Sequence, residues 1–313
     1  MGKETPEACG ELTAYEDDWL WWCDDRAEDC EDGRRMKHTF VVCAYGESPY
    51  LRQCLESLRA QTVRSEILMI TSTPNDKIQS ACEEHGLKLR VNHGKSGIAD
   101  DWNFALQQAK TPLVTLAHQD DIYQPDYARQ ILYAWKKNRD AIILFSDYQE
   151  LRIKGGVSED TLGQKDTADS DRHGWKITES GLVRTKRIMM LPLRIAFLQR
   201  SRWIRRRVFS LGNAICCPSV TYVKKRMPGK LFIGNMKSNI DWQAWELLSR
   251  KKGCFVYIPQ KLMLHRIHGE STTAGIVNEH ARREEDLYML RKFWPGKMPE
   301  LIWRLYGKNE RYQ

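Results

Sequence analysis

Between Phe40 and Phe145 short apolar runs alternate with amphipathic stretches roughly ten residues long, a pattern open to few folds. Phe40–Cys43, Glu66–Ile70, Leu87–Val91, Leu113–Ala117 and Ala141–Phe145 read as strands. Tyr50–Ala60 (with Leu51, Leu55 and Leu58 on one face), Lys77–His85, Ile98–Ala109 and Tyr127–Lys137 read as the helices between them. The alternation predicts an α/β fold: a Rossmann-like, mostly parallel sheet flanked by helices. Such sheets bind ligands outside the carboxyl ends of their strands. At one of those ends, after Leu113–Ala117, stands His118-Gln119-Asp120-Asp121. Two adjacent carboxylates are costly there unless they meet a cation. A divalent ion holding a diphosphate is the economical expectation, and oxygen ligands suit Mg²⁺ or Mn²⁺. The alternative is an Asp-Asp cap or turn ahead of Pro125.

Composition narrows the class. The chain has 313 residues, 42% hydrophobic and 29% charged, as soluble globular proteins do. No stretch is long enough to span a membrane; Ile188–Leu198 is interrupted by Pro192 and Arg194. The N-terminus lacks the basic and apolar regions of a signal peptide, and nine cysteines, an odd count scattered singly apart from Cys216-Cys217, fit a reducing cytosol. Cys43 and Cys254 read as core thiols; Cys9, Cys23 and Cys30 lack the close pair of a metal cluster. Residues 1–37 carry twelve acids and five bases, a net −7 within a chain of +8, so the body carries +15. A body of that charge expects anionic partners: nucleotide diphosphates, lipid phosphates or an acidic membrane surface. The acidic leader, with Trp19, Trp21 and Trp22, is open among covering the basic body, mediating a homo-oligomer, or disorder.

Further along, residues 154–210 read as a polar lid loop followed by a basic segment, Arg184–Arg207, interleaved with Ile188, Phe197 and Trp203. That segment is either a membrane-surface helix or a solvated helix packed on the body. Nucleic acid is not expected, because no recognition motif accompanies the charge. Ala214–Val223 and Phe255–Ile258 read as strands, Asp241–Arg250 as a helix, and residues 276–313 as C-terminal helices.

Five ordered features give residues 38–275 a family likeness. They are Val41-Val42-Cys43-Ala44-Tyr45 with the Leu51–Leu58 helix behind it; the turn Ser72–Asp76; Gly97-Ile98 leading to Trp102-Asn103; His118-Gln119-Asp120-Asp121; and Ile240-Asp241-Trp242 with His265-Arg266-Ile267-His268. Together they resemble the family 2 glycosyltransferases, which have a GT-A fold and use nucleotide-sugar donors. The chain departs from the family at Ala44 (usually Pro), Gly46 (usually Asn), the Ser72–Asp76 turn (usually with an Asp contacting uracil or ribose) and His118 (usually Asp).

The resemblance implies an inverting, metal-dependent transferase that moves a hexosyl or hexosaminyl group from a nucleotide-diphosphate sugar to a hydroxyl of a glycan or polyprenyl-linked acceptor in bacterial surface polysaccharide synthesis. The implied donor is a UDP-sugar, with dTDP-sugars used by relatives. By motif match, Asp120 is the first metal ligand, joined by His268 and His118, and the implied cofactor is Mn²⁺ or Mg²⁺. Asp241 is the implied general base, with capping of its own helix as the alternative role. Ala44, Tyr45, Glu47, Ser72, Thr73, Lys95, Gly97, Asn103, Gln119, Asp120, Asp121, Trp242 and Arg266 are the expected nucleotide-sugar contacts, with core packing an equal role for Trp242. Two rival readings stand beside this one. A nucleotidyltransferase on a related fold needs a glycine-rich phosphate loop after the first strand, which Ala44-Tyr45-Gly46-Glu47 does not supply. A non-catalytic nucleotide-sugar-binding scaffold would explain the departures but not the retention of Asp120, Asp241 and His268.

Overall fold

The structure, a computed structural model, describes residues 36–95, 97–153, 174–268 and 279–310. Most of the acidic leader and most of the expected lid lie outside the described residues, and everything below belongs to the unit Lys37–Gln313.

Nine strands form one mixed sheet: β1 His38–Ala44, β2 Glu66–Thr71, β3 Lys88–Val91, β4 Leu113–His118, β5 Ile122–Tyr123, β6 Ala141–Ile153, β7 Trp175–Thr178, β8 Val220–Val223 and β9 Cys254–Ile267. Their order is β3-β2-β1-β4-β8-β6-β9-β5, with β7 paired to β6. The half from β3 to β4 is parallel and is connected through helices α1 Leu51–Arg59, α2 Asp76–Glu84 and α3 Ile98–Gln108. Strand β8 then runs antiparallel between β4 and β6, while β6 and β9 are parallel to each other.

Alternation along each strand builds two cores. Val41, Val114 and Leu116 join one cluster with α3, with α6 (Arg202–Val208) and with α7 (Ile240–Ser249). Phe40, Val42, Leu113 and Ala117 join the other, against α1, α2 and α4 (Tyr127–Lys137). Two further helices, α8 Glu279–Arg291 and α9 Met298–Glu310, follow β9 and add Met289, Leu290 and Ile302 to the first cluster.

Three local expectations change. The basic segment is not one helix: α5 (Gly181–Met189) and α6 are separated by 3-10 turns at Leu191–Arg194 and Leu198–Arg200, because Pro192 lacks the N–H a continuing helix would need. Ala214–Val223 shortens to β8 because Pro218 sits in a 3-10 turn, Cys217–Ser219. Strands β6 and β9 extend far past the apolar runs that announce them. In β9 the shift comes after Pro259, where the register against β6 moves from Ser146↔Ile258 to Asp147↔Lys261 and pairing then resumes.

The entry to β9 is set by Gly253, whose φ of +126° is foreign to L side chains and whose added Cβ would lie 2.3 Å from the Asp140 carbonyl oxygen. We expect Gly253→Ala to destabilise the fold by about 2–4 kcal/mol, as strain and overpacking combine. Chemical denaturation checks this, and an unchanged midpoint would refute it.

Candidate active site

Strand β5 decides which groups meet. It pairs antiparallel with the far end of β9, Ile122 opposite Leu264 and Tyr123 opposite Met263. Continuing that register carries Asp121 to His265 and Asp120 to Arg266. Asp121 is fully buried; its Oδ1 accepts from His265 Nδ1 (2.9 Å) and from the Arg266 backbone N–H (3.0 Å). Asp120 Oδ2 lies 2.9 Å from His268 Nε2, and the Asp120 carbonyl accepts from Arg266 Nε at 2.9 Å.

Arg266 is itself buried, stacked between the rings of Tyr50 (4.3 Å) and Trp175 (4.4 Å) and donating to Gln53. Trp175 reaches it because β7 pairs Trp175 with Ile153 at the end of β6, next to β9. The guanidinium expected to meet a phosphate is thus used to hold the Asp120-Asp121 turn in place.

His118 ends β4, and its imidazole stacks on Trp102 (5.4 Å between centroids, 22° between planes). Its Nδ1 is 4.0 Å from Asp121 Oδ2. One ligand atom from each of His118, Asp120 and Asp121 lies within 4.8 Å of the others. Asp121 Oδ2 and His118 Nε2 are buried without a hydrogen-bond partner. Orphaned buried acceptors beside a second carboxylate are what a divalent cation would satisfy, and a nitrogen-oxygen donor set suits Mn²⁺. Burial opposes the Asp120 charge, yet the hydrogen bond to His268 and the fields of His118, His265 and His268 hold its carboxyl down to about 2. The carboxylate is therefore ionised over the whole working range.

The second centre is Asp241, half-buried in the first turn of α7. Its Oδ2 accepts from Asn213 Nδ2 (2.6 Å) and its Oδ1 from the Trp242 backbone N–H (2.8 Å). Burial pushes this carboxyl above the usual range, against the pull of Asn213, the Trp242 N–H and the Lys186 charge. Cys216 links the two centres: burial raises its thiol, and Asp121 and Asp241 both raise it further while Lys186 lowers it.

The remaining expected contacts divide. Gln119 is tied to the backbone of Tyr45, accepting from its N–H (3.0 Å) and donating to its carbonyl (2.9 Å). Thr73 Oγ1 accepts from the Gly46 N–H at 2.8 Å, and Ser72 donates to Asp101 at 2.8 Å. These residues share the crevice with the exposed Tyr45 ring. Ala44 is buried at the end of β1, Glu47 pairs with Lys77, and Gly97 (φ +147°) opens α3. Lys95 is exposed at the edge of a cleft of about 270 Å³ beside α3. Asn103 is buried with its amide engaged: it donates to the Ala99 and Phe232 carbonyls and accepts from the Leu231 and Phe232 N–H groups. Trp242 is core: it donates to the Phe209 carbonyl (3.1 Å) and stacks on Phe293. Sequence reasoning missed Tyr50, Gln53, Trp175, Lys186, Asn213 and the role of His265. The β9 extension alone would have pointed to His265.

A doubly wound sheet with a carboxylate-histidine group at its strand ends defines a class of nucleotide-binding α/β enzymes, and comparison makes the class specific. The family profile "Glycosyl transferase family 2" matches residues 39–209. The chain belongs to glycosyl transferase family 2. EpsH of Bacillus subtilis (strain 168), named as a glycosyltransferase, is 26% identical over 200 residues, 59% of this chain; the chain spans only 58% of EpsH's length. Among solved structures, S. aureus TarS 1–349 in complex with UDP-GlcNAc matches with a TM-score of 0.51 at 17% identity, over 85% of this chain and 70% of that one. The mannosyltransferase PcManGT from Pyrobaculum calidifontis, in complex with GDP-Man and Mn²⁺, matches with a TM-score of 0.51 at 13% identity, over 85% of this chain and 67% of that one. At those identities the likeness is one of fold, and the fold is GT-A.

Proposed function

We propose that this chain is an inverting, metal-dependent glycosyltransferase that moves a sugar from a nucleotide-diphosphate donor to an acceptor hydroxyl. The observation that carries the reading is the pairing of two unlike carboxylate centres: Asp120, kept ionised among three histidines, and Asp241, pushed up by burial. Environments that drive two carboxyls apart suit two roles. His118, Asp120 and Asp121, whose ligand atoms converge, would hold Mn²⁺ or Mg²⁺, with His268 joining them through its bond to Asp120. Bound there, the ion would supply neutralisation of the charge growing on the departing diphosphate.

Asp241 receives the acceptor hydroxyl's proton as that oxygen bonds to the anomeric carbon and the bond from that carbon to the diphosphate oxygen breaks. A raised pKa improves a carboxylate as a base, and Asn213 keeps the charged form accessible. The complexes of TarS with UDP-GlcNAc and of PcManGT with GDP-Man and Mn²⁺ support a nucleotide-sugar donor and a divalent ion. A UDP-sugar is the favoured donor, and a glycan or polyprenyl-linked acceptor in surface polysaccharide synthesis the favoured acceptor.

The same reading sets the protein at the cytoplasmic membrane face. Among the described residues no helix is long and apolar enough to cross a membrane. α5, α6 and the segment between them instead expose Ile188, Leu191, Ile195, Phe197 and Trp203 along with Arg184, Arg194, Arg200, Arg202 and Arg207. Arg205 is not among them, being buried over the Phe255 ring. Apolar tips ringed by arginines fit an anionic bilayer surface.

Four variants test these assignments. In a thermal-shift screen of nucleotide sugars, Asp120→Ala should lose the Mn²⁺-dependent part of the stabilisation; an undiminished shift removes Asp120 as a ligand. Asp241→Asn should keep that shift and abolish turnover. Because the base works deprotonated, activity should rise with pH through the raised Asp241 pKa, and Asn213→Ala, which removes a bond favouring the charged form, should move that limb to higher pH; an unmoved limb speaks against Asp241. Ile188→Ser with Phe197→Ser should reduce sedimentation with phosphatidylglycerol vesicles several-fold, and equal sedimentation ends the membrane assignment.

A further inference from the structure

The helix that carries Asp241 is held at its entry by another helix. Asn239, at its N-cap, makes no side-chain bond to α7, and within the first turn Asp241 itself meets the Trp242 N–H. The segment leading into α7 is held from α8. Glu285 Oε1 accepts from the Lys237 N–H at 2.6 Å, and Glu285 Oε2 from the Ser238 N–H (2.8 Å), the Ser238 hydroxyl (2.6 Å) and the Asn239 N–H (3.1 Å). The next residue, Asp286, accepts from Asn239 Nδ2 at 2.7 Å, which uses the very side chain that would otherwise cap α7. One carboxylate thus gathers four donors in the three residues before α7, two positions ahead of Asp241.

A second contact ties the same two parts from another side. Phe293, just past the end of α8, stacks on Trp242 with 6.5 Å between centroids and 13° between planes. Trp242 adjoins Asp241 and its backbone N–H supplies one of the two hydrogen bonds to that carboxylate, Asn213 supplying the other. The anchors bracket Asp241 in sequence, at residues 237–239 and at 242.

We infer that α8 is a positioning element for catalysis, in which Glu285 fixes the N-terminal turn of α7 and so the aim of the Asp241 carboxylate. The inference rests on the reading of Asp241 as the general base. Glu285 is a positioning residue: it faces backbone and hydroxyl donors of its own chain and acts through the helix it holds. The physical sense is direct. A carboxylate in the first turn of a helix moves with that turn, and a displacement of about 1 Å at a reacting group is worth up to roughly a hundredfold in rate. Four charge-assisted bonds to consecutive residues are the restraint that prevents such displacement. A negative charge at the N-terminus of α7 also completes the helix dipole without placing a second acid beside the acceptor.

The test uses the full chain and the nucleotide sugar that gives the largest Mn²⁺-dependent thermal shift, with nucleotide release as the assay. Glu285→Ala should lower kcat roughly tenfold per folded enzyme while the donor KM and the Mn²⁺-dependent shift stay within about twofold, a split expected of misaimed catalysis rather than lost binding. Glu285→Gln, which keeps an acceptor oxygen, should recover most of the rate. Should Glu285→Ala not accumulate as folded protein, Ser238→Ala removes one of the four donors and should show the same split at two- to threefold. A lower melting temperature with unchanged kcat per folded enzyme overturns the inference, leaving Glu285 a stabilising contact only. An inactive Asp241→Asn beside a fully active Glu285→Ala overturns the clamp alone, whereas an active Asp241→Asn removes the base and with it the clamp's purpose.

Discussion

Two residue pairs between β5 and β9 underlie everything at the strand ends. β5 is only Ile122 and Tyr123, too short to matter as a strand in its own right. Its pairing with Leu264 and Met263 nevertheless anchors the turn that carries Asp120 and Asp121 to the last residues of β9. In the sheet, β4 and β9 are separated by β8 and β6, so a ligand group built from both needs such a hook. Once the hook is made, His265, Arg266 and His268 follow at fixed spacing. Arg266 then locks the turn from below, charged, buried and covered on both faces by Tyr50 and Trp175. A buried guanidinium is tolerated when its donors are used and its faces are covered by aromatic rings, and both conditions hold.

The mixed character of the sheet explains how two carboxylate centres of different character arise. The parallel half ends at β4 and presents His118, Asp120 and Asp121, as a doubly wound sheet would. The antiparallel β8 then enters from the other direction, and the segment leading into it carries Asn213, Cys216 and Cys217 to the same place. The Cys216 thiol responds to Asp121 and to Asp241 alike, and Lys186 acts on Asp241, on His265 and on that thiol. One centre sits among imidazoles that favour its charge; the other sits in burial that resists it. That contrast follows from topology, since the turn after β4 is hooked to the histidine-bearing end of β9 whereas Asp241 sits in the first turn of α7.

Where local pattern decides structure, the sequence was readable. Tyr127–Lys137 is a helix because Tyr127, Ala128 and Ile131 make a buried face and Lys136 and Lys137 end it, and the structure agrees residue for residue. Legibility failed where pairing overrides pattern. Asp147 and Glu150 interrupt the apolar run of β6, yet both are buried within the strand, met by Arg187 and by Arg152 and Ser180. The strand read as Phe255–Ile258 runs on past Pro259, which a register shift absorbs. No local signal marks the two rings that sandwich Arg266, one from residue 50 and one from residue 175. Asn213 has the same difficulty: it lies 28 residues from Asp241, and only the fold brings them together.

The departures from the family pattern also become physical statements. Gly46 stands where the family usually has Asn, and its φ is +58°, in the left-handed region that glycine adopts freely and asparagine tolerates. The backbone requirement is kept although the side chain is lost. His118 is a larger change, since an imidazole replaces a carboxylate beside two others. Three carboxylates within reach of one another would repel, and each would need its own cation or proton. With His118 the group has two, one already bonded to His265 and the Arg266 backbone and the other to His268. The imidazole is held flat against Trp102, where stacking fixes its plane whatever its protonation. The substitution lowers the negative charge facing a donor diphosphate by one unit while preserving a ligand atom toward Asp121. Less negative charge at the strand ends is a gain toward an anionic nucleotide sugar, and it gives His118 a physical rationale other than decay of the site.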